Sequence, residues 1–358
     1  MDAMLDPQLA PARQTARTRT VVLRAVLGAG AGAVLLLTFL RLINFGSVYQ
    51  RLEHINISLA VLCGLAFITA YVVRALRWRW FLAPYVVSIP RAVGIYLVAI
   101  FINWLLPIRG GELAKSLMLR RSNGIPVSRS LPTVTMDKAM DLLPAVGLLL
   151  LLPFVHLHLT RPLWALLLFA LAVLACGVVL IGFAALRRER TLAWLSRVIA
   201  AVMPGRLRHS VEPFVVQFMD ALLALMRRPR VLLITAAYTV VAVSFDALFC
   251  WLAFRAVGEA VALPIVLYGY TFYNLAYILP TPPGQIGSNE LIGLLIFSGL
   301  FGVGSSSVGA MFLFSHPWTA VLIVSCGVLS LAAMGLTLRS TLGLTREPAA
   351  VEARVIAS

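Results

Sequence analysis

Apolar runs long enough to cross a bilayer recur along this chain from Val21 to Leu338. A hydrocarbon core asks for about 20 consecutive apolar residues per helix. It offers backbone N–H and C=O groups no partner, so a crossing segment must be a helix or part of a closed barrel. The runs here are unbroken and do not alternate, which excludes a barrel. Composition agrees, since 61% of the 358 residues are hydrophobic and 12% are charged, where a soluble domain carries about a quarter charged. The expected fold class is an all-α polytopic integral membrane protein.

The formal net charge of +16 raises the question of nucleic acid. Placement answers it. Of the 30 basic residues two are lysines, Lys115 and Lys138, and the rest are arginines gathered at the ends of apolar runs, as at Arg74, Arg77, Arg79 and at Arg227, Arg228, Arg230. That is the signature of cytoplasmic loops, and no soluble surface is left to carry a nucleic-acid face. The four cysteines, Cys63, Cys176, Cys250 and Cys326, lie within apolar runs and share no metal-ligand spacing. They read as buried small hydrophobes. No cofactor and no metal are expected, and no P-loop, HExxH or dinucleotide fingerprint is present.

Read along its length, the chain divides into a polar tail over 1–20, a transmembrane domain over 21–338 and a second polar tail over 339–358. Spanning helices are expected at about 21–43, 57–76, 134–155, 162–186, 231–256 and 309–338, with an arginine-rich amphipathic section at 191–226 that lies along the cytoplasmic interface. The cluster Arg74-Ala75-Leu76-Arg77-Trp78-Arg79-Trp80 mixes cations with aromatics. It predicts an interfacial anchor built on Arg74, Arg77 and Trp78. Six spans place both termini in the cytoplasm, and the run of basic flanks points to the inner membrane of a bacterium.

Two apolar segments are broken, and they carry the functional signal. The piece 92–121 is interrupted at Pro107-Ile108-Arg109-Gly110-Gly111-Glu112 and has basic residues on both sides, so it reads as a re-entrant hairpin. The piece 262–303 is interrupted at Pro280-Thr281-Pro282-Pro283-Gly284-Gln285-Ile286-Gly287-Ser288-Asn289-Glu290 and reads as a second hairpin, entering from the outside. Each has an Asn in its first half (Asn103, Asn274), then Pro, then glycines, then a Glu opening the next helix (Glu112, Glu290). Gly/Pro-interrupted segments in corresponding positions of two halves point to a transporter site between inverted repeats. Broken helices free N–H groups, and the following helix dipole favours an anion.

Ionisable residues inside a membrane are costly and are functional candidates by default. Here they are Arg109, Glu112, Lys115, Asp137, Lys138, Asp141, Asp246 and Glu290. Glu112 and Lys115 share a helix face at i,i+3, and Asp137 and Asp141 at i,i+4. Arg109, before a Gly-Gly turn, has the planar fork that suits phosphate. Each also has a plain structural reading, as an interfacial salt bridge, a helix-end charge or a helix-mouth marker. His316, beside Pro317, reads as structural.

Together these motifs resemble the transmembrane, flippase-like domain of lysylphosphatidylglycerol synthase, in a stand-alone form. The resemblance rests on Arg74-Ala75-Leu76-Arg77-Trp78, on Asn103 through Pro107 to Arg109-Gly110-Gly111-Glu112, on Asp137-Lys138 with Asp141, and on Pro283-Gly284, Gly287 and Glu290 in that order. It covers about 20–340. The chain departs from the family's usual pattern at Asp137-Lys138, where Glu-Arg is common, at Gln285, where a second Gly is common, and at Asn289, where a basic residue is common. Only about 20 residues follow the last apolar run, so no aminoacyl-transferring domain is expected and no lysyl transfer is implied.

The expected function is movement of a lipid or lipid-linked amphiphile with a phosphate-bearing headgroup between leaflets, not catalysis. Arg109 and Lys115 would contact phosphate, and Glu112, Glu290, Asp141 and Asp246 would contact cationic headgroup atoms, pair those cations or carry protons. Membrane lipids are the expected partners. The rival readings are a membrane-embedded lipid-modifying enzyme, a transporter of small solutes, and a non-catalytic subunit that partners a lipid-synthesis enzyme.

Overall fold

The computed structural model describes residues 27–106, 110–141, 187–203, 227–276 and 281–341 continuously, with isolated positions elsewhere between 144 and 223. The protein is an all-helical membrane protein, with no strand among the described residues. The helices are α1 (Leu27–Leu42), α2 (Phe45–Glu53), α3 (Ile57–Phe81), α4 (Ile89–Leu105), α5 (Gly111–Asn123), α6 (Val127–Met140), α7 (Arg188–Val202), α8 (Pro229–Ala256), α9 (Leu263–Ala276), α10 (Ser288–Leu300), α11 (Ser305–Ala333) and α12 (Leu338–Thr341).

Three helices, α3, α8 and α11, have 25, 28 and 29 residues and are long and apolar enough to cross a membrane. At about 1.5 Å per residue each exceeds a ~30 Å hydrocarbon core. A fourth span forms if α1 and α2, bent by 92° at their junction, count as one. These four correspond to the expected first, second, fifth and sixth spans. The expected spans at 134–155 and 162–186 lie largely outside the described residues, as do Arg109, most of 210–226 and the tails 1–20 and 342–358.

Three boundaries differ from the sequence reading. The link after Asn44 is itself helical, because the Asn44 side chain accepts a hydrogen bond from the Ser47 N–H at 3.2 Å and caps α2. A carboxamide here satisfies one of the donors that a helix start leaves unpaired. Asn56 repeats the device on the Leu59 N–H at 3.0 Å and starts α3. At its other end α3 does not stop at 76 but continues to Phe81, because its arginines meet carboxylates inside the bundle and need not sit beyond it. Finally, the helix holding Asp137 begins at Val127, well before residue 134, and the described part ends at Met140.

The long helices α3 and α8 run side by side over most of their length, and α11 packs along α4. One apolar core joins Phe67, Phe249, Phe254, Phe297 and Phe312, and a second joins Trp78, Tyr96, Ile102 and Met118. Both broken segments contain two separate helices, α4 and α5 in the first and α9 and α10 in the second. The first folds back on itself at Gly111, where a Cβ would lie 2.1 Å from the Ala99 carbonyl oxygen. Only glycine permits α5 to start that close to α4.

Candidate functional site

Charged residues buried in a low-dielectric interior persist only when paired and hydrogen-bonded. Helices α3, α4, α5, α6 and α8 meet at such a set. Arg77, on α3, is fully buried. Its Nε donates to Asp137 Oδ1 at 2.9 Å, its Nη2 to the Asp137 carbonyl at 2.9 Å and to Asp141 Oδ1 at 2.8 Å, and its Nη1 to Thr239 Oγ1 at 3.0 Å. Arg74, one turn earlier, pairs with both oxygens of Asp246 on α8 and reaches Asp141 at 3.4 Å. Asp137 Oδ2 also accepts from the Tyr96 hydroxyl at 2.9 Å and from Lys115 Nζ at 3.4 Å. Lys115 Nζ lies 3.5 Å from the centre of the Tyr96 ring and 5.2 Å from that of Trp78, within cation–π range. Three cations (Arg74, Arg77, Lys115) thus face three carboxylates (Asp137, Asp141, Asp246), and the set is neutral.

This corrects the interfacial-anchor reading of Arg74, Arg77 and Trp78. An anchor needs a face toward headgroups, and Arg77 and Trp78 have 0% exposure. The residue of that cluster with an open face is Trp80, at 40% exposure. Lys115 is likewise closed off, at 3% exposure. It turns to Asp137, and Glu112 turns to Lys138, whose Nζ lies 3.7 Å from Glu112 Oε1.

The first break is built around Asn103. Its Oδ1 accepts from the Gly111 N–H at 2.8 Å and its Nδ2 donates to Glu112 Oε1 at 3.1 Å. One carboxamide near the end of α4 therefore caps α5 and orients the Glu that opens it. At the second break Asn274 does not repeat this device, because it is exposed on α9. Instead α11 supplies His316. Its Nδ1 meets Glu290 Oε1 and its Nε2 meets the Gly284 carbonyl oxygen at 2.8 Å. Gly284 and Gly287 have φ of +64° and +78°, values that a Cβ disfavours. The turn is seated on α1, where a Cβ at Gly28 would stand 3.0 Å from Pro283 Cδ and one at Gly287 would stand 2.3 Å from the Gly32 carbonyl oxygen.

The two breaks meet. The Trp104 ring, at the end of α4, lies 3.5 Å from where a Gly284 Cβ would stand. On the two broken segments three buried polar atoms have no hydrogen-bond partner among the described residues: Glu112 Oε2, Glu290 Oε2 and Trp104 Nε1. The two oxygens can each accept one further hydrogen bond and the indole N–H can donate one. The site therefore suits a guest bearing donors as well as an acceptor.

Of the residues singled out from sequence, Asn103, Gly111 and Glu112 gather at the first break, and Pro283, Gly284, Gly287 and Glu290 at the second. Asp137, Asp141, Asp246, Lys115, Arg74, Arg77 and Trp78 form or line the buried charge set. Asn274 stands apart, and Arg109 lies outside the described residues. Sequence reasoning missed four residues: His316, Trp104, Tyr96 and Thr239. A histidine inside an apolar run beside Pro317 was the legible sign of the first; nothing in the spacing marked the other three.

Residues 21–338 match the family described as the lysylphosphatidylglycerol synthase TM region. The chain belongs to that family. Among known proteins it is similar to a UPF0104 membrane protein of Pyrococcus horikoshii, 23% identical over 74% of this chain and 84% of that one. It is similar also to a UPF0104 membrane protein of Methanothermobacter thermautotrophicus, 24% identical over 79% of this chain and 85% of that one. No solved structure gives a significant match.

Proposed function

We propose that this member of the lysylphosphatidylglycerol synthase TM-region family moves an amphiphile with a phosphate-bearing headgroup between the leaflets of the cell membrane, with both termini on the cytoplasmic side. One observation carries the reading. Two broken segments from different halves of the chain touch at Trp104 and Gly284, and each brings a carboxylate, Glu290 buried and Glu112 partly buried, with one enclosed oxygen that has no partner among the described residues. A buried polar atom without a partner costs about 1–3 kcal/mol, and that cost is recovered when a headgroup donates to it. A guest that satisfies Glu112, Glu290 and Trp104 while its tails stay in lipid is an amphiphile in transit, and the broken-segment pair is the arrangement transporters use for such sites.

The roles follow from position. Glu112 and Glu290 accept from hydroxyl or amine groups of the headgroup. Phosphate falls to Lys138, which is 47% exposed beside Glu112, and, from the chemistry of its guanidinium fork alone, to Arg109. Lys115, Asp141 and Asp246 hold the helices around the site and do not touch the guest. The reading assigns no chemistry to the protein.

The test is lipid scrambling in proteoliposomes, followed with headgroup-labelled lipids and a membrane-impermeant quencher. Wild type is expected to accelerate one headgroup class, and Glu112→Gln and Glu290→Gln to slow it by about tenfold, the equivalent of one charge-assisted hydrogen bond. Scrambling that is absent from wild type, or equal in folded variants, overturns the reading in favour of an enzyme or a partner subunit.

A further inference from the structure

Hydrogen-bond chemistry fixes a proton at the second break. The Gly284 carbonyl can only accept, so His316 Nε2 must carry a hydrogen to make its 2.8 Å contact. Nδ1 then faces Glu290 Oε1. If neither carried a proton, two lone pairs would oppose each other at hydrogen-bond distance in a buried site, where Glu290 is 4% and His316 8% exposed. One proton therefore lies between Nδ1 and Oε1, as imidazolium with carboxylate or as neutral imidazole with carboxylic acid. Either form is net neutral, which is the form an apolar interior tolerates.

We propose that this shared proton is exchangeable and that the Glu290–His316 pair is a proton-binding site coupled to the opening of the second break. When the proton leaves to water, His316 keeps its Nε2 hydrogen and Glu290 becomes an unscreened carboxylate facing the Nδ1 lone pair. The two side chains part, and the Gly284 carbonyl loses the ring that held it. Gly284 is the residue on which Trp104 rests, so the loss is transmitted to the junction of the two breaks. If the function proposed above is correct, the proton is the ion coupled to headgroup movement, and only that clause rests on that reading.

The pair stands apart from the other charges. Among the described residues its ion-pair partners are each other. The groups on neighbouring elements are engaged elsewhere: Arg51 of α2 with Glu259 at 3.2 Å, Arg74 of α3 with Asp246, Arg77 of α3 and Tyr96 of α4 with Asp137, Lys138 of α6 with Glu112, and Arg255 of α8 over the Trp251 ring at 5.0 Å. The other acid–base groups on the packed helices are Arg41 of α1, Tyr49, Glu53 and His54 of α2, Cys63, Tyr71 and Arg79 of α3, Arg91 of α4, Arg230, Tyr238 and Cys250 of α8, Tyr268, Tyr270 and Tyr273 of α9 and Cys326 of α11.

The experiment is hydrogen–deuterium exchange of the peptide spanning 281–290 in the full chain, at a series of pH values, in wild type, Glu290→Gln and His316→Gln. Glu290→Gln presents an amide N–H to Nδ1 and imitates the protonated pair, so it keeps the turn closed at every pH. Dividing each rate by that of Glu290→Gln at the same pH removes the intrinsic pH dependence of exchange. The wild-type ratio is expected to stay near unity at low pH and to rise by about tenfold as pH increases through one titration step, since one buried charge-assisted hydrogen bond is lost. The His316→Gln ratio is expected to be raised at every pH, with no step. A flat wild-type ratio, or a step that persists in His316→Gln, overturns the proposal. Because this readout involves no lipid, a step found in a protein that scrambles nothing sinks the flippase reading and leaves the proton site standing.

Discussion

Arg77 and Asp137 are both fully buried and share two hydrogen bonds, Nε to Oδ1 and Nη2 to the backbone carbonyl, each at 2.9 Å. The second contact ties the guanidinium to the main chain of α6 as well as to its carboxylate. Removing one partner strands a charge in the bundle, which costs about 3–5 kcal/mol. Asp137→Asn is therefore expected to lower the melting temperature in detergent sharply, by leaving Arg77 and Lys115 to share what remains. The double variant Arg77→Met with Asp137→Leu is expected to recover part of that loss, because neither charge is then stranded. A double variant no more stable than Asp137→Asn would show that the pair contributes beyond mutual neutralisation.

Asn103 does two jobs with its two side-chain atoms, accepting from the Gly111 N–H and donating to Glu112. Its variants separate them. Asn103→Asp keeps an oxygen for Gly111 but sets a second carboxylate oxygen against Glu112 Oε1. Asn103→Ala loses both contacts, at a cost of about 1–2 kcal/mol for the cap. The melting temperature is expected to fall more for Ala than for Asp, while scrambling is expected to fall at least as far for Asp as for Ala. Equal rank order in both measurements would mean that Asn103 acts only as a cap.

The sequence made the helical membrane class and both breaks legible because their causes are local. Length and apolarity of a run decide whether it can cross, and Pro107, Gly110, Gly111, Pro282, Pro283, Gly284 and Gly287 interrupt whatever helix they fall in. What charged groups meet across the bundle was not legible. Arg74 and Arg77 look like headgroup anchors as long as Asp246 and Asp141, far away in the chain, are not known to face them. The roles of the two asparagines were not legible for the same reason. Asn103 and Asn274 occupy matching places in the pattern, but Asn274 is exposed and the Glu of the second break is ordered by His316 from another helix. Periodicity within a segment says nothing about such long-range choices.

Glycines here divide by what surrounds them. At Gly111 a Cβ would be 2.1 Å from the Ala99 carbonyl oxygen, and at Gly287 it would be 2.3 Å from that of Gly32, with φ already at +78°. The obstacles are backbone atoms of packed helices, which cannot swing aside. Gly111→Ala and Gly287→Ala are expected to cost at least about 2–3 kcal/mol, in the range of overpacked cores, and to reduce the yield of folded protein. Gly30 lies on α1 with nothing within 4 Å of its Cβ position. Gly30→Ala is expected to stabilise by about 0.5–1 kcal/mol, the helix preference for alanine. Thermal melts of the three variants side by side check the assignment.

Trp104 offers a test in which stability and function move apart. Its Nε1 is buried with no partner among the described residues, so that N–H weakens the fold, while the ring beneath it fills the contact with Gly284. Trp104→Phe keeps an aromatic ring and removes the orphan donor. Relief of an unpaired buried polar atom is worth about 1–3 kcal/mol, which offsets the smaller ring's lost packing, so the melting temperature is expected to stay within a few degrees of wild type. If the N–H donates to the headgroup in transit, scrambling falls several-fold in the same variant. Trp104→Ala removes ring and donor together and is expected to lose both stability and transport. A Trp104→Phe protein that scrambles as wild type would restrict Trp104 to packing, and the guest's polar contacts would then have to be carried by Glu112 and Glu290 alone.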